Sequence, residues 1–212
     1  MSPRSADPAV RAALLAAAKR LLSTEGPQAL STRRLATEVG ASSIAVYTHF
    51  GSMDQLRREL RRDGFGRLEA DLDAIPRTDD PVADLGSAIL AYFAFGLGDP
   101  DLYRAMFVDR PPERTEDAGT GVFERLVAAV DRCVDAGRFE PAEPALLRGW
   151  SAELWTAGHG MITLALTGLL PLDQVRFLLT DMTCRLAVGF GDDPAAASRS
   201  IETLHSAQGD LG

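Results

Sequence analysis

The sequence is poor in cysteine and has no long uninterrupted apolar run. Its two cysteines, Cys133 and Cys184, form no Cys-x-x-Cys pair and no Cys/His cluster, which argues against a disulfide framework and a structural zinc site. No signal-peptide segment follows Met1, and charge or glycine breaks the later apolar runs before they reach bilayer-spanning length. We therefore expect a cytoplasmic protein with no membrane partner, no metal and no cofactor.

Strand patterns and catalytic signatures are also missing. From Pro81 onward no run alternates apolar and polar residues as a strand does, and apolar residues recur at helical spacing instead. The chain has no glycine-rich phosphate loop, no metal-ligand spacing and no nucleophile elbow. The sequence predicts an all-α protein that is not an enzyme.

Charge is distributed unevenly along the chain. Residues 1–62 contain ten basic and five acidic residues, a net charge of +5 in a protein whose total is −8, so the remainder carries −13. A basic segment joined to an acidic body concentrates the attraction for phosphate at one end of the molecule. This asymmetry indicates that the amino-terminal segment binds nucleic acid.

The segment 31–50 predicts two short helices joined by a tight turn. Apolar residues recur at helical spacing up to Val39, Gly40 suits the positive φ of a helix end, and Ser42 offers a hydroxyl to cap a second helix. Two such helices form a helix-turn-helix, whose second helix enters the major groove of DNA. The motif predicts a DNA-binding domain.

Further helices are predicted on both sides of this motif. Asp7 and Pro8 begin a helix that ends near Gly26 and covers the back of the motif, and Ser52 with Gln55 forms a capping-box signature for a fourth helix. The later helices are expected near residues 81–97, 99–108, 118–137, 143–169, 171–190 and 194–207, with an exposed loop at 110–119. We place a helix-turn-helix domain at residues 1–55 and a helical effector-binding and dimerisation domain at 56–212.

The helix-turn-helix segment resembles the amino-terminal domain of the TetR family, regulators similar to the tetracycline repressor. The matching residues are Leu30-Ser31-Thr32-Arg33-Arg34-Leu35-Ala36, Gly40-Ala41-Ser42 and Val46-Tyr47-Thr48-His49-Phe50. The resemblance implies an all-α fold with a three-helix DNA-binding domain and a larger helical domain for ligand binding and dimerisation. It also implies that a double-stranded DNA operator is the partner.

The resemblance further implies which residues meet DNA. The matching positions are Thr32, Arg33, Ser42, Ser43, Ile44, Tyr47, Thr48 and His49. Arg33 matches a base-contacting position and suits guanine, Ser43 can exchange hydrogen bonds with several bases, and Ile44 can touch a thymine methyl group. Tyr47 and His49 match phosphate contacts of the family, and the helix-starting threonine matches a phosphate-binding cap.

Other interpretations of these residues stay open at this point. Arg33 and Arg34 can be solvated surface charges, and Tyr47 can pack on the first helix. Val46 and Phe50 are expected in the core by their spacing. Many relatives have a lysine near the start of the fourth helix, where it contacts a DNA phosphate. This chain has no lysine there, so the backbone N–H groups at the start of that helix would bind the phosphate alone.

In the second domain, Trp155 and His159 stand four residues apart and so share a helix face. The Trp-x-x-x-His-Gly pattern resembles the carboxy-terminal domain of one TetR subfamily, in which this helix lines the effector cavity. Aromatic and thioether side chains of other helices complete the predicted pocket: Tyr92, Phe93, Tyr103, Met106, Phe107 and Phe123. The alternative for His159 is a core histidine with satisfied nitrogens.

The helices near 143–169 and 171–190 carry more apolar surface than one helix buries against a small domain. Their apolar residues are Leu164, Leu166, Leu169, Leu170, Val175, Leu178, Leu179, Met182, Leu186 and Phe190. Two such helices from each subunit would form a four-helix interface, so we expect a homodimer. A two-fold dimer presents two reading helices to half-sites about one DNA turn, or a multiple of it, apart.

These expectations combine into a ligand-responsive DNA-binding transcriptional regulator. We expect a repressor that leaves its operator when a small apolar molecule enters the second domain. The alternative is a helical ligand-binding protein, or an enzyme that uses His159 with Glu153 as a base, without specific DNA recognition.

Overall fold

The computed structural model describes residues 7–108 and 119–206, with the side chains of 203–206 left out. Within these residues every regular element is a helix, which confirms the all-α prediction. The elements are α1 (Pro8–Glu25), a 3₁₀ turn (Pro27–Ala29), α2 (Thr32–Val39), α3 (Ser43–Phe50), α4 (Met53–Asp73), α5 (Pro81–Gly98), α6 (Pro100–Phe107), α7 (Thr120–Asp135), α8 (Pro144–Leu166), α9 (Leu172–Gly189) and α10 (Pro194–Ser206). Residues 110–118 of the predicted loop lie outside the described residues.

The amino-terminal helices begin and end at the local signals in the sequence. The Asp7 carboxylate accepts a first-turn N–H of α1 at 2.9 Å, and the Ser31 hydroxyl accepts an N–H of α2 at 3.2 Å. Gly40 ends α2 with a left-handed φ of 67°, a conformation that costs glycine little. Ser42 precedes α3 as predicted, but its hydroxyl makes no capping hydrogen bond.

The predicted capping box of α4 forms on one side only. The Ser52 hydroxyl accepts the backbone N–H of Gln55 at 3.1 Å. The Gln55 side chain does not return to Ser52, because its Oε1 accepts a hydrogen bond from Arg58, one turn further along the helix, at 3.0 Å. The start of the helix was therefore predicted correctly, whereas the reciprocal bond was not.

The chain divides into two compact units. The first comprises the described residues of Met1–Arg67 and Asp99–Ala118, and the second those of Leu68–Gly98 and Gly119–Gly212. The first unit extends beyond residue 55 because Leu56 and Leu60 of α4 are buried in its core, and it includes α6 because α6 packs against α1. The assignment of DNA binding to residues 1–55 is a functional division and stays a prediction.

The first unit is built around α1, which packs against α2, α3 and α6. Its fully buried side chains include Leu14, Leu21, Leu22, Leu35, Leu56, Leu60, Tyr103 and Met106. Two arginines of α1 and α2 pair with carboxylates on the surface of this bundle, Arg20 with Glu38 and Arg34 with both Glu25 and Glu38. The helix-turn-helix thus rests on a packed core of its own.

The second unit is built around α5, which packs against α7, α8, α9 and α10. Among the described residues, α5 is the one helix whose length and composition would suffice to cross a membrane, which corrects the expectation that no apolar run reaches that length. Val82, Leu85, Ile89 and Leu90 of α5 lie in the buried core. The apolar composition of α5 is therefore that of a helix at the centre of the core of the second unit.

One half-buried arginine connects three helices in the second unit. Arg138, after α7, makes two hydrogen bonds to Asp192 at 2.8 and 2.7 Å, one to Asp80 at 2.9 Å and one to Ser200 at 3.0 Å. The Asp192 side chain is only 2% exposed. A buried carboxylate needs such a partner, so Arg138 holds the start of α5, the end of α9 and the middle of α10 together.

Candidate functional site

Helix α3 buries one face and exposes the other. Val46 and Phe50 are 0% and 4% exposed, which confirms their predicted place in the core. Ile44 is 74% exposed and Tyr47 is 53% exposed, so Tyr47 is not buried against α1. Large side chains exposed on so short a helix are typical of a binding surface.

The remaining predicted DNA-facing residues lie at the amino-terminal ends of α2 and α3 or on the exposed side of α3. Thr32 and Arg33 are the first two residues of α2, and Ser42 and Ser43 stand at the start of α3. Arg33, Ser42 and Ser43 are exposed and Thr32 is half-buried. Since α2 packs against α3, the two helix starts belong to one small bundle.

Thr48 and His49 near the end of α3 have fixed hydrogen-bonding roles. The Thr48 hydroxyl donates to the Ile44 carbonyl at 2.9 Å, so it keeps only acceptor capacity. The Nδ1 atom of His49 is buried and has no hydrogen-bond partner among the described residues. Nε2 is therefore the ring nitrogen that can exchange a hydrogen bond with a partner outside the protein.

Adjacent arginines of α2 differ in their contacts. Arg34 donates to Glu25 at 2.8 Å and to Glu38 at 2.9 Å, and the hydrogen bond and charge of Glu25 hold the pKa of this guanidinium above its usual value. Arg33 is exposed and makes no side-chain hydrogen bond or ion pair within the described part of the chain. Arg34 is committed to the bundle, whereas Arg33 can reach outward.

A cavity of about 200 Å³ lies within the second unit, between the last turn of α4 and helices α5, α7 and α8. Its apolar lining includes Ile89, Val122, Leu126 and Leu154, and its aromatic lining consists of Tyr92, Phe123 and Trp155. The volume is below the roughly 300–1,000 Å³ of pockets for drug-sized ligands. The cavity therefore suits a small, mostly apolar molecule.

The three aromatic residues of this cavity touch one another. The Trp155 indole N–H donates to the Tyr92 hydroxyl at 3.3 Å, and the rings of Trp155 and Phe123 are 5.7 Å apart at an angle of 50°. The His159 ring lies 6.4 Å from that of Trp155 but does not line the cavity. Burial lowers the pKa of His159, which keeps the imidazole neutral near pH 7.

The structure does not bring the other predicted pocket residues to this cavity. Phe93 packs against the core of the second unit. Tyr103, Met106 and Phe107 belong to α6 in the first unit, where Phe107 meets the ring of Phe65 at 5.2 Å. They face that core because α6 packs with α1, a partnership that helical periodicity does not specify.

Charged residues on the cavity wall were missed by the sequence reasoning. Besides its apolar and aromatic residues, the lining contains Asp73, Arg77, Asp84, Arg125 and Arg132. Arg125 and Arg132 are seven residues apart and share the face of α7 that also holds Val122, Leu126 and Ala129. Two arginines at helical spacing on an apolar face were the signal that could have revealed them.

Each of these arginines of α7 pairs with an acid. Arg132 donates to Asp84 at 3.0 Å, and Asp84 also accepts two hydrogen bonds from Thr78 at 2.9 and 2.8 Å. Arg125 makes a two-pronged pair with Asp73, in which Nε and Nη2 each donate at 2.7 Å, while its Nη1 donates to the Gly121 carbonyl at 3.1 Å and lies 3.2 Å from Glu69. The hydrogen bond from Arg125 keeps the pKa of Asp73 below its usual value.

A second exposed apolar surface lies along α8 and α9. We call it the α8–α9 apolar face; it consists of Leu164, Leu169, Leu172, Phe177 and Leu178, which are 36–76% exposed. Others of the predicted interface residues are used inside the subunit, since Val175 and Leu179 are at most 1% exposed. Five exposed large apolar side chains between residues 164 and 178 are nevertheless more than single surface leucines need explain.

Together, these features define a class of protein. A helix-turn-helix with an exposed reading helix, joined in one all-helical chain to a second unit with an apolar cavity, is the organisation of a DNA-binding regulator. Residues 14–60 match the family described as bacterial regulatory proteins, tetR family, and residues 85–185 match the tetracyclin repressor-like carboxy-terminal domain. The chain belongs to the TetR family of transcriptional regulators, which are not enzymes.

Individual relatives agree with this assignment. The chain is 28% identical over 191 residues to an uncharacterized HTH-type transcriptional regulator of Mycobacterium tuberculosis, a match that covers 84% of this chain and 80% of the relative. It is also similar to the structure of a protein of unknown function from Rhodococcus sp. RHA1, with 27% identity and a TM-score of 0.75 over 91% of this chain and all of that one.

More distant structures share the fold. RolR in complex with resorcinol is 17% identical, with a TM-score of 0.65 over 91% of this chain and 93% of RolR. The SmeT–triclosan complex is 19% identical, with a TM-score of 0.62 over 84% of this chain and 90% of SmeT. The fold is therefore compatible with small-molecule complexes in those two proteins.

Proposed function

We propose that this TetR-family regulator is a homodimeric repressor that binds its operator through α2 and α3 and leaves it when a small, mostly apolar molecule enters the cavity of the second unit. The observation that carries the DNA-binding part is the exposure of Ile44, Tyr47 and Arg33 on a helix-turn-helix whose other face is packed. Because the other face of the motif is packed against the protein, these exposed side chains are the ones available to contact DNA.

The exposed residues fit different parts of a DNA site. Arg33 suits guanine, whose O6 and N7 accept both prongs of a guanidinium, and Ile44 suits a thymine methyl group. The exposed Tyr47 and the Nε2 atom of His49 suit phosphate oxygens, which position the protein without reading sequence. The basic charge of residues 1–62 adds a salt-dependent attraction.

The α8–α9 apolar face supports the dimer. Its side chains would leave water if two copies met through these helices, forming a four-helix interface around a two-fold axis. A Phe177→Glu substitution at its centre should convert the dimer to a monomer in light scattering at micromolar concentration. An Arg57→Gln substitution on α4 of the first unit, where the arginine side chain is 45% exposed, should leave the dimer intact.

The aromatic cavity supports the effector. RolR and SmeT, which share the fold, were solved with resorcinol and triclosan, and the cavity of about 200 Å³ in this chain suits a molecule with a small ring system. Release requires that the molecule favour the conformation that does not fit DNA. A differential affinity of about 5.5 kcal/mol would move a two-state balance from 1:99 to 99:1.

Fluorescence anisotropy with DNA from upstream of the protein's own gene tests the central claim. The wild type should bind with sequence preference, and binding should weaken steeply with salt. Arg33→Ala should lose roughly tenfold to a hundredfold in affinity and relax the preference at one base pair. Arg34→Ala removes the same charge from the neighbouring position and should lose much less, because Arg34 is engaged with Glu25 and Glu38.

Several results would contradict the proposal. Equal losses in the Arg33 and Arg34 variants would mean that only overall charge matters. Absence of sequence preference across a selection library would favour a ligand-binding protein that has lost DNA recognition. A Phe177→Glu variant that remains dimeric would mean that the dimer interface lies elsewhere on the protein.

A further inference from the structure

The cavity wall of the second unit contains two arginine pairs that differ in accessibility. The pair between Arg132 and Asp84 is braced, because Thr78 also bonds to Asp84 and accepts from Arg132 through its carbonyl at 3.2 Å. The Asp84 side chain is 10% exposed. Replacing Asp84 would break several buried bonds at once, so this pair is part of the fold.

The pair between Arg125 and Asp73 is open to exchange. The Asp73 side chain is 59% exposed and the Arg125 side chain 34% exposed, and no further hydrogen bond to the Asp73 side chain is found in the described part of the chain. Exposed ion pairs of this kind contribute little net stability because water solvates both partners well. Another carboxylate of the same geometry can therefore take the place of Asp73.

The surroundings of Arg125 specify the rest of such a ligand. Tyr92, Phe123 and Trp155 provide an aromatic wall, and the cavity of about 200 Å³ accommodates one or two fused rings. A ring buried there gains apolar contacts that the Asp73 carboxylate itself lacks. If a ligand displaced Asp73 from Arg125, Asp73 would still have Arg77 nearby. Arg125 makes the larger contribution to lowering the pKa of the Asp73 carboxyl, and the charge of Arg77 also lowers it.

The charge of the wall argues against a cationic ligand. Three guanidinium groups and two carboxylates line the cavity, a third carboxylate, that of Glu69, lies 3.2 Å from Arg125, and all three carboxylates already pair with an arginine. An ammonium group would meet like charges at short range, whereas a carboxylate would meet the planar donor array that it fits with two parallel hydrogen bonds.

From these observations we infer that the effector is a small aromatic carboxylate, whose ring packs against Trp155 and Phe123 and whose carboxylate binds Arg125 in exchange for Asp73. This inference rests on the proposed function, since it names the class of molecule that the cavity takes. It makes Arg125 the residue that determines specificity. Arg132 stays in its structural pair.

Calorimetric titration of the full-length protein tests the inference with matched probes. 2-Naphthoate should bind at least about tenfold more tightly than 2-naphthamide, which has the same ring system but no charge. Arg125→Gln should abolish this preference while keeping the amide affinity, and Arg125→Lys should restore part of it. Asp73→Asn should strengthen naphthoate binding, because the competing carboxylate is gone.

Arg185→Gln provides a control variant, since it removes a paired arginine of the same unit that does not line the cavity. It should bind both probes like the wild type. Circular dichroism and thermal unfolding of each variant show that the fold is kept. Equal affinities of naphthoate and naphthamide, or an acid preference that survives Arg125→Gln, would overturn the inference.

The same probes in the anisotropy assay separate this inference from the proposed function. If 2-naphthamide binds as well as 2-naphthoate and releases DNA, the proposed function as a regulator is supported and the inferred specificity for a carboxylate is contradicted. If the protein shows no specific DNA binding but prefers naphthoate through Arg125, the proposed function is contradicted and the inferred specificity of the cavity for a carboxylate is supported.

Discussion

Replacing Arg138 by methionine should be among the most damaging single changes in the second unit. Arg138 reaches Asp192, Asp80 and Ser200 with four hydrogen bonds, and methionine keeps most of the apolar stem but none of the donors. Asp192 would then be left as a 2% exposed carboxylate without its arginine. The energetic question is the cost of that unpaired charge.

The expected loss in the free energy of unfolding is about 3 kcal/mol, the lower end of the range for removing one partner of a buried ion pair. The lower end applies because the Arg138 side chain is 21% exposed and water can reach part of the site. For a chain of this size the melting temperature should fall by about 6–12 °C. Adding Asp192→Asn to the variant should restore at least about 1 kcal/mol, because it removes the stranded charge.

Urea unfolding at a fixed protein concentration, followed by circular dichroism and tryptophan fluorescence, measures this loss. Trp150 is a local probe, since its ring stacks on Phe190 at 4.9 Å near the end of α9. Arg185→Met, which breaks an exposed pair with Asp181, should be close to the wild type. A loss below about 1 kcal/mol for Arg138→Met would refute the reasoning, because it would mean that Asp192 finds water or another partner at little cost.

Three further predictions concern pH, helix packing and thiol reactivity. Burial alone would raise the pKa of Asp80, but hydrogen bonds and the adjacent arginine outweigh it and place the pKa below its usual value. Its contribution to stability should therefore be constant at neutral pH and disappear as acid titrates the folded carboxyl, and Asp80→Asn should flatten this acid limb of the stability curve. A Cβ atom at Gly64 would lie 2.5 Å from a buried methionine sulfur, whereas Gly66 meets nothing within 4 Å; Gly64→Leu should cost about 1–3 kcal/mol of stability in urea unfolding and Gly66→Leu nothing, and equal effects would contradict this packing. Burial raises the pKa of Cys133 to about 12, so the native protein should react with a thiol reagent at the half-buried Cys184 first, as mass spectrometry of the labelled peptides will show.

The helix boundaries followed from the sequence because their signals are local. Asp7 and Gly40 act within one turn of the helix ends that they specify, and the structure places those ends as predicted. The burial of Val46 and Phe50 likewise follows from helical periodicity on one short helix, whereas the outward position of Ile44 was expected from the family resemblance. Such features need no knowledge of what lies across the core.

The composition of the cavity did not follow in the same way. Tyr92, Phe123 and Trp155 meet only because α5, α7 and α8 pack together, while the equally aromatic Tyr103 and Phe107 are carried into the first unit by α6. Aromatic content marks these residues as buried but does not specify their neighbours. The predicted pocket therefore combined residues from two separate cores.

By itself, the sequence determined an all-helical chain with a basic helix-turn-helix, an apolar second unit and the order and extent of its helices, since each depends on neighbours within a few residues. Only the tertiary structure decided which charges pair across helices. Arg33 and Arg34 are neighbouring residues of the same type, which the sequence alone does not distinguish. Arg34 pairs with Glu25 and Glu38, whereas Arg33 is unpaired in the described part of the chain. Arg125 and Arg132 are both paired, but the carboxylate that Arg125 binds is far more exposed than that of Arg132, because exposure and long-range partners depend on how distant segments pack.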